Sequence, residues 1–494
     1  MIGENKMRCY KILLRMSILW TVVSAASAFC ADDHPKLQPL VDQYAVALEN
    51  VTCFWGEPQT YGGRNFHEMG YAGPMMINLM DRTASYWMSR FLLNPGDTLV
   101  LRGQFGHARY NSIQSYGAVN STSSLRDFEI EPDNGSQNPF RQGARRDTPA
   151  DQRWYTIYVV NAREPSDLNL KKPNTLYAGP PESDPQNRVE LRYRTYLPDQ
   201  KYDDEHDSAG GAQLPLPVKI IRADGTEEPF RCDRDPKERT FMLAQRANNS
   251  ATSVQNWITL WKKYPCAEAK EGEFCNDPWT SPAQNPPVFE KVFSFKYSVL
   301  GQFLPPSERA KAKPSSHSGD LDVPANKDNG YLFTFANNNF GKILHITGKA
   351  PKTPRTYWNN KTWDESKADL RYWSITAGND LITGQIASGV NDEMIPIRKD
   401  GTFSVVVSKP EDRPKCATQE NGHAWVDWGR RGDMAGRDGF TTIAIRHLIP
   451  LNGFKYAAQN VVEPGTEAEV LGAYMPKARY FKDAEAFDKA FGTQ

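Results

Sequence analysis

Arg109-Tyr110-Asn111-Ser112-Ile113 is the stretch that decides the fold, because it returns with one change as Arg371-Tyr372-Trp373-Ser374-Ile375. The residues before each copy recur too. Gly96-x-x-Leu99-x-Leu101-x-Gly103 precedes the first copy, and Gly341-x-x-Leu344-x-Ile346-x-Gly348 precedes the second. The chain therefore repeats more than a short motif.

Three further landmarks follow each copy in the same order. They are Asp127 with Pro132 against Asp392 with Pro396, residues 155–160 against 403–407, and Arg194-Thr-Tyr-Leu197-Pro198 against Arg446-His-Leu-Ile449-Pro450. A repeat this long is typical of a pair of domains and not of a solenoid array. The sequence thus predicts an internal duplication.

Composition and alternation favour sheets. The chain of 494 residues holds 35 Pro, 35 Gly, 21 Tyr and 12 Trp, a usage that suits strands joined by many turns. Residues 99–105, 127–131, 154–160 and 189–197 have strand-like patterns, whereas residues 75–92 fit either a buried helix or two strands. We predict a mainly β protein with two tandem, related antiparallel β-sandwich or barrel domains and a helical insertion between them.

The predicted boundaries follow shifts in composition along the chain. Residues 1–28 form a signal peptide, 29–211 an N-terminal β domain with a leading helix, 212–304 a helical insertion with a disulfide loop, 305–330 a linker, and 331–494 a C-terminal β domain related to the first. The linker is rich in Pro, Ser, Lys and Asp, which is typical of a surface crossing.

The N-terminus predicts export. Basic residues precede an apolar run at residues 16–23, and small residues end at Ala28, as in a secretory signal. The alternative is a membrane anchor, which needs about 20 apolar residues. We expect a secreted or periplasmic protein with no membrane span. Of the six cysteines left after cleavage, Cys266 and Cys275 enclose a short polar loop and are the expected disulfide.

Four arginines occupy matching places in the repeats, and two interpretations of them stay open. Arg109 and Arg194 lie in strands of the first repeat, and Arg371 and Arg446 lie in the second. Each guanidinium needs an acceptor, and Asp127 or Asp392 could form an internal ion pair that fixes strand register. Alternatively the arginines, with Tyr110, line an anion or carboxylate pocket.

Histidine and tryptophan supply the other candidate residues. His107 lies two residues before Arg109 and has no counterpart in the second repeat. It is either part of a site that was added to one copy or a histidine at a loop edge with no functional role. Trp425, Asp427 and Trp428 lie in a Gly-rich stretch that either stacks on a ligand or folds over the core. The chain has no Gly-x-Ser-x-Gly, phosphate-loop or HExxH motif, and we expect no metal and no cofactor.

Several motifs together resemble a known family. They are His107-Ala-Arg-Tyr110, Asp133-Asn-Gly-Ser-Gln-Asn-Pro-Phe140, Asn174-Thr-Leu-Tyr-Ala-Gly179, Leu370-Arg-Tyr-Trp-Ser374 and Ala424-Trp-Val-Asp-Trp-Gly429. The chain resembles exported bacterial and fungal proteins related to the domain-of-unknown-function families 1254 and 1214. The resemblance implies β-rich tandem domains and supplies no reaction. The resemblance leads us to expect a cysteine after Ile375, but this chain has Thr376-Ala-Gly-Asn there. The resemblance therefore suggests no disulfide partner for Cys416.

These features lead to one main functional hypothesis and two alternatives. The main one is a protein that binds or processes an extracellular small molecule or glycan in a cleft between the two β domains. The first alternative is a hydrolase or lyase with His107 as acid/base and Arg109 as the oxyanion or carboxylate partner, and the second is a structural envelope protein without a site. With 59 basic and 59 acidic residues, no general attraction to nucleic acid is expected.

Overall fold

The structure, a computed structural model, describes most of both predicted β domains. The residues described are 54–55, 59–60, 81–116, 121–179, 187–202, 209–230, 283–294, 297–298, 326–358, 360–378, 386–429 and 439–492. The predicted signal peptide, the leading helix, Cys266 and Cys275 lie outside them. Cys416 is described, and it is a free, buried thiol.

The described chain is mainly β, as the sequence predicted. Its strands are β1 (Gln59–Thr60), β2 (Ala84–Leu92), β3 (Thr98–Gln104), β4 (Ala108–Tyr116), β5 (Ser121–Arg126), β6 (Trp154–Val160), β7 (Thr175–Tyr177), β8 (Arg188–Pro198), β9 (Leu216–Ile221), β10 (Glu227–Pro229), β11 (Glu290–Lys291), β12 (Asn329–Asn337), β13 (Ile343–Lys349), β14 (Leu370–Gly378), β15 (Ile386–Asn391), β16 (Thr402–Ser408), β17 (Ala424–Asp427), β18 (Phe440–Pro450) and β19 (Lys477–Phe481). Two short α-helices, α1 (Glu467–Leu471) and α2 (Ala484–Phe491), lie near the C-terminus.

The strands form four sheets. The first two have the orders β1-β2-β8-β4-β5 and β10-β9-β3-β6-β7, and the second two have the orders β11-β12-β18-β14-β15 and β17-β16-β13-β19. Neighbouring strands are antiparallel except for the parallel pairs β6–β7 and β16–β17. One hydrophobic core lies between the first two sheets and another between the second two.

Alternation explains why these segments are strands. In β3, Leu99 and Leu101 are fully buried, whereas the side chain of Arg102, the residue after Leu101, is half exposed. In β13, Leu344 and Ile346 take the buried places. A period of two puts every second side chain into the core, and the hydrophobic effect then holds the strand in that register.

Two segments differ from the predicted secondary structure. The alternating run at residues 127–131 is a 3₁₀ turn (Asp127–Glu129) that follows β5, because the Asp127 carboxylate accepts the backbone N–H groups of Asn111 and Phe128 and bends the chain. In the range predicted as a helical insertion, β9 pairs with β3 of the first domain. Residues 231–282 of that range lie outside the described part.

The two domains meet along the repeated motifs. Every residue of β4 and of β14 is buried, because one face of each strand covers its own core and the other face packs against the opposite domain. Tyr110, Tyr196, Tyr372 and Leu448 belong to one hydrophobic cluster at this junction. Trp363, from the segment between β13 and β14, is fully buried in the core of the first domain.

Among the residues described, no helix is both long and apolar enough to cross a membrane.

Candidate functional site

Arg109 binds acidic residues of the opposite domain. Its Nη1 donates to Asp392 Oδ2 at 2.8 Å and its Nη2 donates to Glu393 Oε1 at 2.6 Å. Its Nε donates to Thr356 Oγ1 at 2.6 Å. The guanidinium is fully buried, so these partners replace the water that it loses on folding.

Arg371 makes the reverse connection. Its Nη2 lies 2.8 Å from Asp127 Oδ1 in the first domain, and its guanidinium lies 4.4 Å from the centre of the Trp363 ring. The side chain of each arginine also donates to the backbone carbonyl of the other. Arg371 Nε donates to the Arg109 carbonyl at 3.1 Å, and Arg109 Nη1 donates to the Arg371 carbonyl at 3.3 Å. We call this arrangement the crossed arginine pair.

The sequence named Asp127 and Asp392 as possible partners, and the structure places both acids on these arginines across the domain junction. Complete burial raises the pKa of the Asp127 carboxyl to about 7, while Arg371 and two backbone N–H groups oppose the rise. Arg109 and Arg371 therefore occupy positions that hold the two domains in register.

Beside the crossed pair, tyrosines and polar residues fill the junction between the two inner sheets. We call this group the tyrosine tract, and it comprises Tyr86, Tyr110, Tyr116, Tyr196, Tyr331, Tyr372, Arg194, Arg446, Asp81, Asn326 and Asp328. Ring centroids of Tyr196 lie 5.4 Å from Tyr110 and 5.5 Å from Tyr372, so the tract runs continuously from one domain into the other.

Arg194 and Arg446 occupy matching places in this tract but have different surroundings. Arg446 Nη1 donates to Thr376 Oγ1 at 2.8 Å and lies 4.0 Å from Asp81 Oδ2. Arg194 Nη2 donates to the Tyr116 hydroxyl, while its Nε and Nη1, buried in a side chain only 2% exposed, have no hydrogen-bond partner in the described part of the chain.

Strand register identifies the residue that replaces Asp81 near Arg194. Ala84 lies opposite Tyr196, two residues after Arg194, and Asn329 lies opposite Leu448, two residues after Arg446. Asp81 and Asn326 each precede these paired residues by three positions. An amide therefore stands at the register position of Asp81, while the Asp328 carboxylate, two residues further on, accepts the Tyr110 hydroxyl as Asp81 accepts the Tyr372 hydroxyl.

The Asn326 amide is oriented by its neighbours. Its Oδ1 accepts the Asp328 backbone N–H at 3.0 Å and Gln114 Nε2 at 2.8 Å. Its Nδ2 is buried and has no partner among the described residues. Arg194 and Asn326 thus contribute three unused donor atoms to the tract, and donors without acceptors favour an anion.

The tyrosines also act as donors. Burial, followed by the nearby Asp328 carboxylate, raises the pKa of the Tyr110 hydroxyl well above its usual value, and burial likewise raises the pKa values of Tyr86 and Tyr372. Their hydroxyl groups therefore keep their protons at neutral pH. The Tyr110 hydroxyl already donates to Asp328 Oδ2.

His107 does not join this group. It is 6% exposed, and its ring stacks on Tyr202 with centroids 5.0 Å apart. Burial, with Arg153 and Lys201 nearby, lowers the pKa of His107 to about 3, so the imidazole is neutral at physiological pH. Because Arg109 is occupied by carboxylates, the geometry provides no acid/base pair between these two residues.

The tryptophans of the Gly-rich stretch lie in two different clusters. Trp428 is fully buried in the core of the second domain, whereas Trp425 packs at the edge of the cluster around Phe487. Trp425 Nε1 donates to Ser408 Oγ at 2.9 Å, and Asp427 Oδ1 accepts the Gly429 N–H at 2.8 Å. The indoles do not form one stacking surface.

Sequence reasoning missed a cavity of about 620 Å³ beside the segment that joins β13 to β14. Its lining includes Lys349, Lys352, Arg355 and Lys367. The signal that could have revealed it is the density of lysine and proline between two repeated landmarks. Asp392, which holds Arg109, lies in its wall.

Two solved structures are similar to this chain. An uncharacterized protein from Burkholderia cenocepacia is 14% identical with a TM-score of 0.44, covering 91% of this chain and 87% of that one. A protein from Vibrio parahaemolyticus is 10% identical with a TM-score of 0.37, covering 90% of this chain and 98% of that one. The chain matches no protein-family model, and no curated protein matches its sequence. Neither similar structure has a described activity, so these similarities assign no activity to this chain.

Proposed function

We propose that this protein binds a small carboxylate-bearing molecule in the tyrosine tract between its two β domains. The observation that carries the proposal is Arg194, whose Nε and Nη1 are buried without a partner among the described residues, at the place where Arg446 faces Asp81. The nearby Asp328 carboxylate interacts electrostatically with this guanidinium, but it leaves Nε and Nη1 without an acceptor among the described residues, and a buried donor without an acceptor costs about 1–3 kcal/mol. A ligand carboxylate that accepts from either of these atoms lowers that cost.

The ligand is small. Arg194, Asn326, Tyr110 and Tyr196 are each at most 3% exposed, so a polymer has no room to pass between the sheets. The donors without an acceptor among the described residues are Nε and Nη1 of the Arg194 guanidinium and Nδ2 of the Asn326 amide. This set suits a carboxylate attached to a compact, partly apolar body that packs against the tyrosine rings.

We also propose how the two domains arose and that the protein is exported. We infer that the two domains arose by duplication, which the matching orders β9-β3-β6-β7 and β19-β13-β16-β17 support. Leu197 and Ile449 add support, because both end matching strands with a left-handed φ, 48° and 46°. A relation to the domain-of-unknown-function families 1254 and 1214 rests on the shared motifs. Export rests on the basic and apolar N-terminus, and the helical insertion rests on the roughly helical spacing of apolar residues from Pro236 to Tyr264.

Two substitutions test whether a carboxylate ligand binds at Arg194. Arg194→Gln removes the guanidinium, and Asn326→Asp supplies the carboxylate that Asp81 provides to Arg446. Wild-type protein, screened against a panel of small mono- and dicarboxylates by thermal shift, is expected to gain about 2.7 kcal/mol at a concentration of 100 Kd. Both variants lose that gain.

Asn326→Asp separates binding from folding. It is expected to raise the unfolding midpoint of the ligand-free protein, because Arg194 acquires an internal partner, and to abolish carboxylate binding at the same time. Carboxylate binding of wild-type strength in both variants would refute the proposal. Absence of any carboxylate that stabilises the wild type would favour the structural alternative.

A further inference from the structure

Two buried histidines of the second domain share one hydroxyl group. His345 of β13 and His423, which immediately precedes β17, are 3% and 2% exposed. His345 Nε2 lies 2.7 Å from Ser404 Oγ, and Ser404 Oγ lies 2.6 Å from His423 Nδ1. A serine hydroxyl has one hydrogen, so between two neutral imidazoles it accepts from one ring and donates to the other. Protonation turns the accepting nitrogen into a donor, and the hydroxyl hydrogen then loses its acceptor.

Helix α2 covers this histidine pair with two aromatic rings. The ring centroids of Phe487 and Phe491 lie 5.3 and 4.8 Å from that of His345. The same two rings lie 5.4 and 5.5 Å from His423. Phe487 is fully buried, so the helix holds the imidazoles between its apolar side and the sheet, where they are shielded from water.

The histidine pair lies outside the main core of the second domain. Leu344 and Ile346 flank His345 in β13 and face that core, so alternation places His345 on the other face of the sheet. The buried residues on this other face form a separate, smaller cluster that includes Cys416 and Phe487. Loss of the α2 contacts would therefore expose the smaller cluster and leave the main core packed.

The charged side chains that act on the histidines are cations. Burial, the neighbouring imidazole, Arg479 of β19 and Arg398 lower the pKa of His345 to about 3, and burial and Arg398 lower the pKa of His423. Asp488 of α2 is turned away, because its carboxylate accepts two backbone N–H groups from the segment between β16 and β17. Among the described residues, no carboxylate offsets a positive charge on either imidazole.

We propose that helix α2 is an acid-sensitive latch, which detaches from the sheet when His345 and His423 gain protons. An uncovered imidazolium is hydrated, whereas a covered one would hold its charge among phenylalanine rings, beside the other imidazole and two arginines. Acid therefore favours the detached state, and that state exposes the apolar cluster around Cys416. The latch lies in the second domain and does not depend on a ligand in the tyrosine tract.

Detachment takes up protons, which fixes the direction of the pH dependence. An imidazole in water has a pKa of about 6.5, whereas that of covered His345 is about 3, so the attached state is favoured above pH 6.5 and loses stability as the pH falls below it. Between pH 7 and pH 5, His345 alone shifts the equilibrium about 25-fold toward the detached state. His423 shifts it further, because its pKa is lowered too.

Thiol labelling of Cys416 in the full-length protein measures this step. Dithiodipyridine reacts with thiols at acid pH, and mass spectrometry of peptides identifies the labelled cysteine. Each rate is divided by the rate for urea-unfolded protein at the same pH, and this corrected rate should rise about 25-fold or more from pH 7 to pH 5. Hydrogen exchange, corrected in the same way, should rise in α2 and stay slow in β14.

Three variants assign the effect to the latch. The double substitution His345→Gln and His423→Gln removes both titrating groups, so its corrected rate should be the same at both pH values. Phe487→Ala weakens the docking of α2 and should label rapidly already at pH 7. His447→Gln, at a buried histidine of β18 outside this cluster, is the matched control and should keep the wild-type ratio.

The wild-type protein decides the proposal even where the double variant does not fold. Equal corrected rates of the wild type at pH 7 and pH 5 would overturn it. So would exchange in β14 that rises together with exchange in α2, because the whole domain would then be opening. An acid response retained by a folded double variant, or slow labelling of Phe487→Ala at pH 7, would overturn it as well.

Discussion

The crossed arginine pair predicts that Arg109→Met destabilises the protein far more than a comparable change at the surface. Both carboxylates that contact Arg109, those of Asp392 and Glu393, have side chains only 2% exposed. Removing one partner of a buried ion pair leaves an uncompensated charge and costs about 3–5 kcal/mol. Glu393 keeps Arg355 at 2.7 Å, so Asp392 accounts for most of the cost and we expect about 4 kcal/mol.

Arg355→Met is the matched control. Arg355 binds the same Glu393, but its side chain is 58% exposed, and exposed ion pairs contribute about 0–1 kcal/mol. Arg109→Lys should fall between the two, because an ammonium keeps the charge but cannot reach both carboxylates and the Thr356 hydroxyl at once.

Urea unfolding followed by tryptophan fluorescence measures these differences, because Trp363 lies next to the crossed pair. The midpoint and the slope are compared among the variants, since a protein with two domains need not unfold in a single step. A cost for Arg109→Met below about 1 kcal/mol, equal to that of Arg355→Met, would refute the view that the pair fixes the junction.

Three further outcomes follow from buried groups. Trp363→Ala should cost about 3–5 kcal/mol, because the fully buried indole fills the core of the opposite domain; calorimetry should show two transitions, and a single transition at the wild-type temperature would contradict it. Burial lowers the pKa of His447 to about 4, so the folded state binds fewer protons than the unfolded state, and stability present above pH 6.5 is lost as the pH falls toward 4. Between pH 6.5 and pH 5 the wild type should therefore lose about 2 kcal/mol more of its free energy of unfolding than His447→Gln does. Unfolding measured from pH 7 to pH 4 checks this, and parallel pH profiles of the two proteins would contradict it. Burial and Asp488 raise the pKa of Cys416 to about 12, so iodoacetamide at pH 8 should label Cys416 in unfolded but not in native protein, as peptide mass spectrometry can check.

The sequence predicted the strands β3, β6 and β8 because alternation is a local signal. Leu99 with Leu101 and Leu344 with Ile346 point into the cores as the pattern requires. The segment at Asp127 was predicted as a strand and is a turn, since its acidic side chain binds the backbone of a neighbouring strand. Periodicity reports which residues face one way, but it does not report a contact with a distant backbone group.

The candidate site was predictable in part for the same reason. Tyr110, Arg194 and Arg446 were identified from the repeated motifs, and the structure places them in one tract. Asn326 was missed because it lies in the range assigned to a linker, where nothing local marks its amide as the counterpart of Asp81. The crossed partners of the arginines depend on how the domains pack, and no pattern within either domain encodes that.

The crossed pair also distinguishes the two halves of the chain during synthesis. Arg109 is translated 283 residues before Asp392, so the first domain leaves the ribosome with a cation that has no counter-ion. Arg371, in contrast, meets an Asp127 that already exists. A truncation between Arg109 and Asp392 therefore leaves Arg109 without its carboxylate partners, so this contact of the first domain requires translation past Glu393.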